Sequence, residues 1–387
     1  MRIGMITGEY PPDQGGVGDF TGQLGRALVD LGHEVHVVTT RPRSADGTCQ
    51  VPHVTVHRVV DRWGWACWRQ VMALAEDLAL DALDVQYQAA AYGMHPAISF
   101  VPRPKGRPPV VVTFHDLRVP YLFPKAGPLR WWVVHTLARR ADAVIATNRE
   151  DYLRLEDAIG SNRLSLIPIG SNIHRSPPAE YDRDVERARW GVEPEGLLLG
   201  YFGFLNESKG GEELITALGL LLEQGLPAHL LMIGGRVGSS DPTNRAYAEH
   251  IEQAINDLGL GERVHWTGYA GSEQVSAALL ATDVCVLPYR DGVSFRRGTL
   301  HACLNHGRAI VTTRPAVPLP EVRDRENMLL VEPRDPEGLA RAVVQVSGDA
   351  DLHTQMERGA RALAGEFTWE RIARRTATVI GELVSVG

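Results

Sequence analysis

The feature that most constrains this chain is an alternation, sustained from end to end, of short apolar or β-branched runs with stretches of helical spacing. A strand that is apolar along its whole length must be covered on both faces, and helices in the connections supply the cover. The pattern therefore predicts an α/β protein with parallel sheets between helices. In the first half, Arg2 to Thr7, Glu34 to Thr40, Val54 to Val59, Asp84 to Tyr87, Val110 to Phe114, Ala143 to Ala146 and Leu164 to Pro168 read as strands. Helices such as Gly18 to Leu31 and Trp132 to Arg140 lie between them. A second series comprises Leu198 to Phe202, His229 to Ile233, Val264 to Thr267, Val284 to Pro288, Ala309 to Thr312 and Met328 to Val331. Between the series, Ser176-Pro177-Pro178 opens a polar, charged stretch to Glu195 that reads as a join. Because 387 residues exceed what one core usually organises, two doubly wound, Rossmann-like domains are expected, at 1–180 and 195–366. A final helix opens at Phe367-Thr368-Trp369-Glu370, and its Ile372, Thr376, Val379, Ile380 and Leu383 can pack on either domain.

Composition removes several classes. Hydrophobic residues at 44% and charged residues at 22% exclude disorder, collagen and coiled coil. The 40 Lys+Arg against 47 Asp+Glu, net −7, argue against a nucleic-acid partner bound through a global basic field, while leaving room for a local basic patch. Cys49, Cys67, Cys285 and Cys303 have no CxxC spacing, so reduced thiols in a cytoplasmic protein without structural zinc are expected. The apolar start, Met1 to Thr7, is too short for a signal-peptide core, and no run of ~18 apolar residues suggests a membrane span. Glycine is in excess, 39 of 387 against a usual ~7%, and glycine serves where backbone turns tightly or approaches a ligand.

Doubly wound sheets bind ligands at the carboxyl ends of their strands, beside helix N-termini whose free N–H groups attract anions. Gly15-Gly16-Val17-Gly18 follows the first strand and opens a helix, so its amides face either a phosphate or sugar, or only their own turn. His115, with Asp116 beside it, ends the strand Val110 to Phe114, where an active-site group belongs; the other reading is a histidine capping its own loop. His33 and His36 belong to a strand entry and the strand itself, and are read as structural. Two such domains facing each other make a cleft suited to a nucleotide sugar.

Further segments occur in order along the chain. They are Glu9-Tyr10-Pro11-Pro12, Gly32-His33-Glu34-Val35, Thr113-Phe114-His115-Asp116, Ile167-Pro168-Ile169-Gly170, Phe202-Gly203-Phe204-Leu205 with Lys209-Gly210, Ile233-Gly234-Gly235, Ala281-Thr282-Asp283-Val284, Leu287-Pro288 and Pro320-Glu321. With the glycine loop, this ordered set resembles the glycosyltransferase family 4 enzymes of the GT-B fold. The resemblance implies two Rossmann-like domains facing across a cleft, the donor between them, and residues 367–387 returning to the N-terminal domain. It implies retaining, metal-independent transfer of a hexosyl or related group from a nucleoside-diphosphate sugar to a glycan, lipid-linked or small-molecule hydroxyl, as in polysaccharide biosynthesis. No bound cofactor is implied, the nucleotide sugar being a co-substrate, and a leaving-group phosphate oxygen takes the acceptor's proton.

Carried over residue by residue, the resemblance makes Lys209 the phosphate lysine and sets His115 near the donor sugar, each otherwise a solvated or loop-capping side chain. It makes Gly15, Gly16, Asn206, the loop Ser294-Phe295-Arg296-Arg297-Gly298-Thr299 and Glu321 donor contacts. For Glu321, an acid at a helix N-terminus is the alternative. One departure is plain: family members carry a Glu, seven residues and a second Glu, and counting back from Gly307 those positions hold Ser294 and Ala302. Phe204 also stands where many relatives have a phosphate-binding arginine. Arg296 or Arg297 can compensate by binding the diphosphate, can be a solvated helix start, or can mark a loop that has lost donor binding. Asp291, His301 or Cys303 are possible substitutes for the missing sugar and ribose contacts. A non-catalytic sugar-binding or scaffold relative and a nucleotide-sugar epimerase therefore stay open beside the transferase.

On the acceptor side, Trp63, Trp65 and Trp68, then Arg103, Lys105 and Arg107, then Lys125, Arg130, Trp131 and Trp132 bring aromatics and cations together. Such clusters stack on sugar rings or sit on an anionic membrane at its inner face. Trp68, with Val71, Leu74 and Leu78 at helical spacing, reads as core.

Overall fold

The computed structural model describes residues 1–13, 15–41, 53–103, 106–118, 127–235 and 242–385. Cys49, Lys105 and Lys125, singled out above, lie outside the described residues. The chain divides into two units, Met1–Asn172 with Phe367–Gly387, and Ile173–Glu366.

In the first unit the expected strands form, with ends shifted by no more than two residues. They are β1 (Arg2–Ile6), β2 (Glu34–Thr40), β3 (Val54–Val60), β4 (Ala82–Tyr87), β5 (Val110–Phe114), β6 (Ala143–Ala146) and β7 (Leu164–Leu166), connected through α1 (Gly16–Asp30), α2 (Cys67–Asp77), α3 (Leu129–Arg140) and α4 (Arg149–Ile159). Among the described residues they make one parallel sheet, ordered β3-β2-β1-β4-β5-β6-β7. One face buries Ile6, Val85, Val112 and Val144 with Trp63 and Trp68. The other buries Ile3, Met5, Val111 and Ile145 with Phe20, Leu24 and Leu28 of α1.

The second unit opens with α5 (Arg183–Arg189) and continues through β8 (Leu197–Phe202), α6 (Gly211–Glu223), β9 (Ala228–Ile233), α7 (Pro242–Asp257), β10 (Val264–Gly268), α8 (Ser272–Ala281), β11 (Val284–Leu287), α9 (Gly298–Asn305), β12 (Ala309–Thr313), β13 (Leu329–Val331), α10 (Pro336–Gly348) and α11 (Ala350–Ala364). Its parallel sheet has the order β10-β9-β8-β11-β12-β13. Two doubly wound domains are thus the architecture.

The charged stretch read as a join is instead part of the second unit. Within α5, buried Arg187 bonds Asp283 Oδ2 at 2.8 Å, Gly196 O at 2.6 Å and Ala281 O at 3.1 Å. Local polarity concealed this, because the partners lie far along the chain.

The last helix, α12 (Trp369–Val384), belongs to the first unit, where Ile372, Ala373 and Ile380 join the α1-side core. Trp369 Nε1 donates to Ser171 O at 2.8 Å. A β-carbon on Gly170 would fall 2.8 Å from the Trp369 ring, so glycine in Ile167-Pro168-Ile169-Gly170 is what lets the indole approach.

Candidate functional site

In the first unit the direction of winding reverses between β1 and β4, and the loops after β1, β4 and β5 gather at the carboxyl end of the sheet. The glycine loop is there, but its helix end is already capped. Glu9 Oε1 accepts from the backbone N–H of Val17 at 3.1 Å and of Gly18 at 3.4 Å. A β-carbon on Gly15 would fall 2.1 Å from that carboxylate oxygen. Gly15 therefore makes room for Glu9, whose carboxylate takes the amides of Val17 and Gly18 at the start of α1. Burial pushes the Glu9 carboxyl above its ordinary range, against the pull of the two amides.

His115 follows β5, its ring edge-on to Phe20 at 4.6 Å. Its Nε2 lies 2.9 Å from Gln86 Oε1. Gln86 Nε2 donates to Asp84 Oδ2 at 2.7 Å, and Thr113 Oγ1 donates to Asp84 Oδ1 at 2.9 Å. Burial drives the His115 ring down to about 3, with Asp116 opposing weakly, so the imidazole is neutral at physiological pH. Burial likewise pushes the Asp84 carboxyl up to about 7. Neither Asp84 nor Gln86 was singled out from sequence, although two polar residues two apart in an apolar strand were a signal. His33 and His36 are structural as read, His36 bonding Glu34 and His57 at 2.9 and 3.0 Å.

In the second unit the reversal falls between β8 and β11. Gly203, directly after β8, has φ 113°, and a β-carbon there would lie 2.9 Å from Lys209 Nζ and 2.6 Å from Thr299 Cγ2. Lys209 thus holds its ammonium at the strand end, beside the first turn of α9 that begins with Gly298 and Thr299. Thr299 Oγ1 is 2.8 Å from Tyr289 Oη, and Asn206 Oδ1 accepts from Ser208 Oγ at 2.8 Å. The segment carrying Lys209 is held by Arg290, which bonds Glu207 at 3.1 Å and Glu212 and Glu213 at 2.7 Å each. Sequence reading missed this clamp, whose members lie some eighty residues apart.

The loop before α9 differs from expectation. Ser294 is fully buried and Phe295 nearly so. Arg296 and Arg297 are not a solvated helix start: each side chain is only 7% exposed, and both pair with Asp291, Arg296 at 2.6 Å. Arg297 also lies 4.2 Å above the Tyr289 ring. Asp291 is thereby committed to the arginines. His301, Ala302 and Cys303 are buried within α9, and Phe204 is 42% exposed. Glu321 is exposed in a turn, with no helix after it, so the helix-end reading is corrected.

On the acceptor side the aromatics divide. Trp63 and Trp68 are core, while Trp65 and Trp132 are 69% and 54% exposed and both pack against Phe100, at 5.4 and 5.8 Å. Arg107 is tied to Asp142 at 2.7 Å. No helix among the described residues is long and apolar enough to cross a membrane.

Comparison with known proteins fits this arrangement. The model of the glycosyl transferase 4-like domain matches residues 15–170, and that of glycosyl transferases group 1 matches residues 196–349. A D-inositol 3-phosphate glycosyltransferase of Corynebacterium urealyticum is 26% identical over 61% of this chain and 55% of its own length. The chain spans about half the length of several such relatives, although one from Corynebacterium efficiens is 25% identical over 99% of this chain and 95% of its own. Among solved structures, Anabaena Alr3699/HepE in complex with UDP and glucose superposes with TM-score 0.77 at 20% identity, covering 99% of this chain and 100% of that one. Sucrose-phosphate synthase from Thermosynechococcus elongatus gives 0.75 at 22%, covering 100% of both. With both halves matched and the same GT-B fold throughout, the chain belongs to the glycosyltransferase family 4-like proteins.

Proposed function

We propose that this chain is a glycosyltransferase that moves a sugar from a nucleoside-diphosphate sugar to an acceptor hydroxyl with retention at the anomeric carbon. The observation that carries the reading is Lys209 beside Gly203 and the first turn of α9, at the winding reversal of the second unit. A departing diphosphate gains negative charge as the bond from the anomeric carbon to its oxygen breaks. An ammonium and helix N-terminal amides already in place stabilise that charge without reorganising. The acceptor oxygen bonds the anomeric carbon from the same face, and its proton passes to the leaving phosphate oxygen. The step requires no strong protein base, no metal ion and no bound cofactor, and a neutral His115 suits hydrogen bonding to a sugar hydroxyl. The Anabaena HepE structures with UDP and with UDP-glucose support a nucleotide sugar as the donor class.

Donor contacts are proposed for Lys209, Asn206, Gly298, Thr299 and Glu321. Arg296 and Arg297 reach a diphosphate only by leaving Asp291. For the acceptor, exposed Trp65 and Trp132 suit a glycan or a lipid-linked sugar at a membrane surface, and co-sedimentation with anionic vesicles separates the two.

Lys209→Ala should lower turnover about a hundredfold or more at saturating donor. Undiminished turnover in the folded variant refutes the role. A second reading, a sugar-nucleotide binder without turnover, is favoured by the buried Ser294 and the Asp291-paired arginines. Stabilisation by a nucleoside diphosphate with no donor consumed would establish it.

A further inference from the structure

Strand β4 is buried along its whole length, yet it carries Asp84 and Gln86, whose side chains share the α1-side face by the period of two. A carboxylate there is costly to charge, and the chain around it is arranged for directional contact. From Asp84 a line of hydrogen bonds runs through the Gln86 carboxamide to His115 Nε2, at 2.7 and 2.9 Å. A carboxamide has one accepting and one donating end, so its two orientations set the two directions in which this line can run. In one, Asp84 is ionised and accepts from the Gln86 amide, and Gln86 Oε1 accepts from His115 Nε2–H. In the other, Asp84 is protonated and donates to Gln86, whose reversed amide donates to a bare His115 Nε2, leaving the ring proton on Nδ1. The observed geometry turns the Gln86 nitrogen to Asp84, and Thr113 gives the carboxylate a second donor at 2.9 Å. That is the first pattern.

We propose that Asp84, acting through Gln86, holds His115 as its Nε2–H tautomer, so that Nδ1 is the ring's only hydrogen-bond acceptor. Asp84 and Gln86 are positioning residues, since neither needs to touch a ligand. Among the described residues no protein group bonds Nδ1, so that nitrogen is left to accept a hydroxyl proton from a sugar. This use of Nδ1 rests on the function proposed above, but the tautomer does not. The line also accounts for a fully buried carboxyl group in the middle of the sheet.

Two-bond 1H–15N correlation of the full chain labelled with 15N-histidine reads the tautomer directly, with His115 identified as the signal lost in His115→Asn. At pH 8, above the range where Asp84 takes up its proton, the Nε2–H form should exceed the other by about tenfold or more, since the alternative leaves a buried pair unmade. The excess should persist in Thr113→Val, which removes the other bond to Asp84 but not the line to His115. It should collapse toward a mixture in Gln86→Leu and Asp84→Ala. A wild-type ring that is Nδ1–H or mixed overturns the proposal, as does an unchanged ratio in either folded line variant. The wild-type spectrum needs no variant to fold. It is recorded without nucleotide or sugar, so a failure of the tautomer assignment is distinct from a failure of glycosyl transfer.

Discussion

Replacing Arg290 by Ala tests whether the Lys209 segment is held by charge. Glu213 is the partner that matters, because its side chain is 8% exposed, its Oε1 lies 2.7 Å from Arg290 Nε, and its Oε2 has no partner among the described residues. Without the guanidinium a buried carboxylate is stranded, which costs about 3–5 kcal/mol. Glu207 and Glu212 are 73% and 49% exposed, so their bridges add at most about 1 kcal/mol each and less at high salt. Against a usual total of about 5–15 kcal/mol the buried pair dominates the effect. Urea unfolding of the full chain for wild type, Arg290→Ala, Glu213→Ala and the double variant gives the coupling as a double-mutant cycle, which should reach about 2 kcal/mol. The double variant should be more stable than Arg290→Ala alone, since it no longer strands a charge. A coupling under about 0.5 kcal/mol, within the usual additivity error, would show that the segment is held by packing instead.

Three further outcomes follow from the same geometry. The Asp84 carboxyl rises from 3.8 to about 7 on folding, so the cost of charging it is absent below about pH 4, grows with pH, and is complete above about pH 7. Wild-type stability should therefore fall by a few kcal/mol relative to Asp84→Asn between pH 5 and pH 8; parallel urea profiles for the two would contradict this. Gly203→Ala combines φ 113° with contacts of 2.6 and 2.9 Å to Thr299 and Lys209, so it should cost about 1–3 kcal/mol and lower turnover with it. An unshifted melting curve and full activity would count against the placement of Lys209. Gly170→Ala drives a methyl to 2.8 Å from the Trp369 ring and should lower the melting temperature by loosening α12, whereas the same change at exposed Gly298, whose β-carbon meets nothing within 4 Å, should disturb packing little.

The sheets were legible because their signal is local: β2, β5 and β6 have the bounds the apolar runs suggest, and every other strand shifts by a residue or two at its ends. Lys209 and His115 were legible in position, since both follow a strand at its carboxyl end. Their surroundings were not, because each depends on a distant partner. Nothing near Gly15 in sequence says that the Glu9 side chain turns back to cap α1, and a glycine run that opens onto phosphate looks the same as one that makes room for a carboxylate. For Arg296 and Arg297 the sequence left diphosphate binding, lost donor binding and a solvated helix start open together, because nothing local says that Asp291 and the Tyr289 ring hold them in the interior. The polar stretch after Pro178 misled for the same reason, its arginines being satisfied by Asp283, about a hundred residues on. Long-range charge pairing has no period, so the alternation along the chain does not carry it.

The return of α12 to the first unit reverses the order of maturation on the ribosome. Residues from Ile173 to Glu366 are contiguous, so the unit made second holds all its own strands and can fold as soon as it emerges. The unit made first cannot, since Ile372, Ala373 and Ile380 complete a core begun by Ile3, Met5 and Phe20. At about 5–20 residues per second, synthesis from the end of β7 to the start of α12 takes on the order of 10–40 s. Through that interval the nascent amino-terminal sheet carries an uncovered apolar face, which makes it the natural site for chaperone engagement and the first place where a stalled chain aggregates.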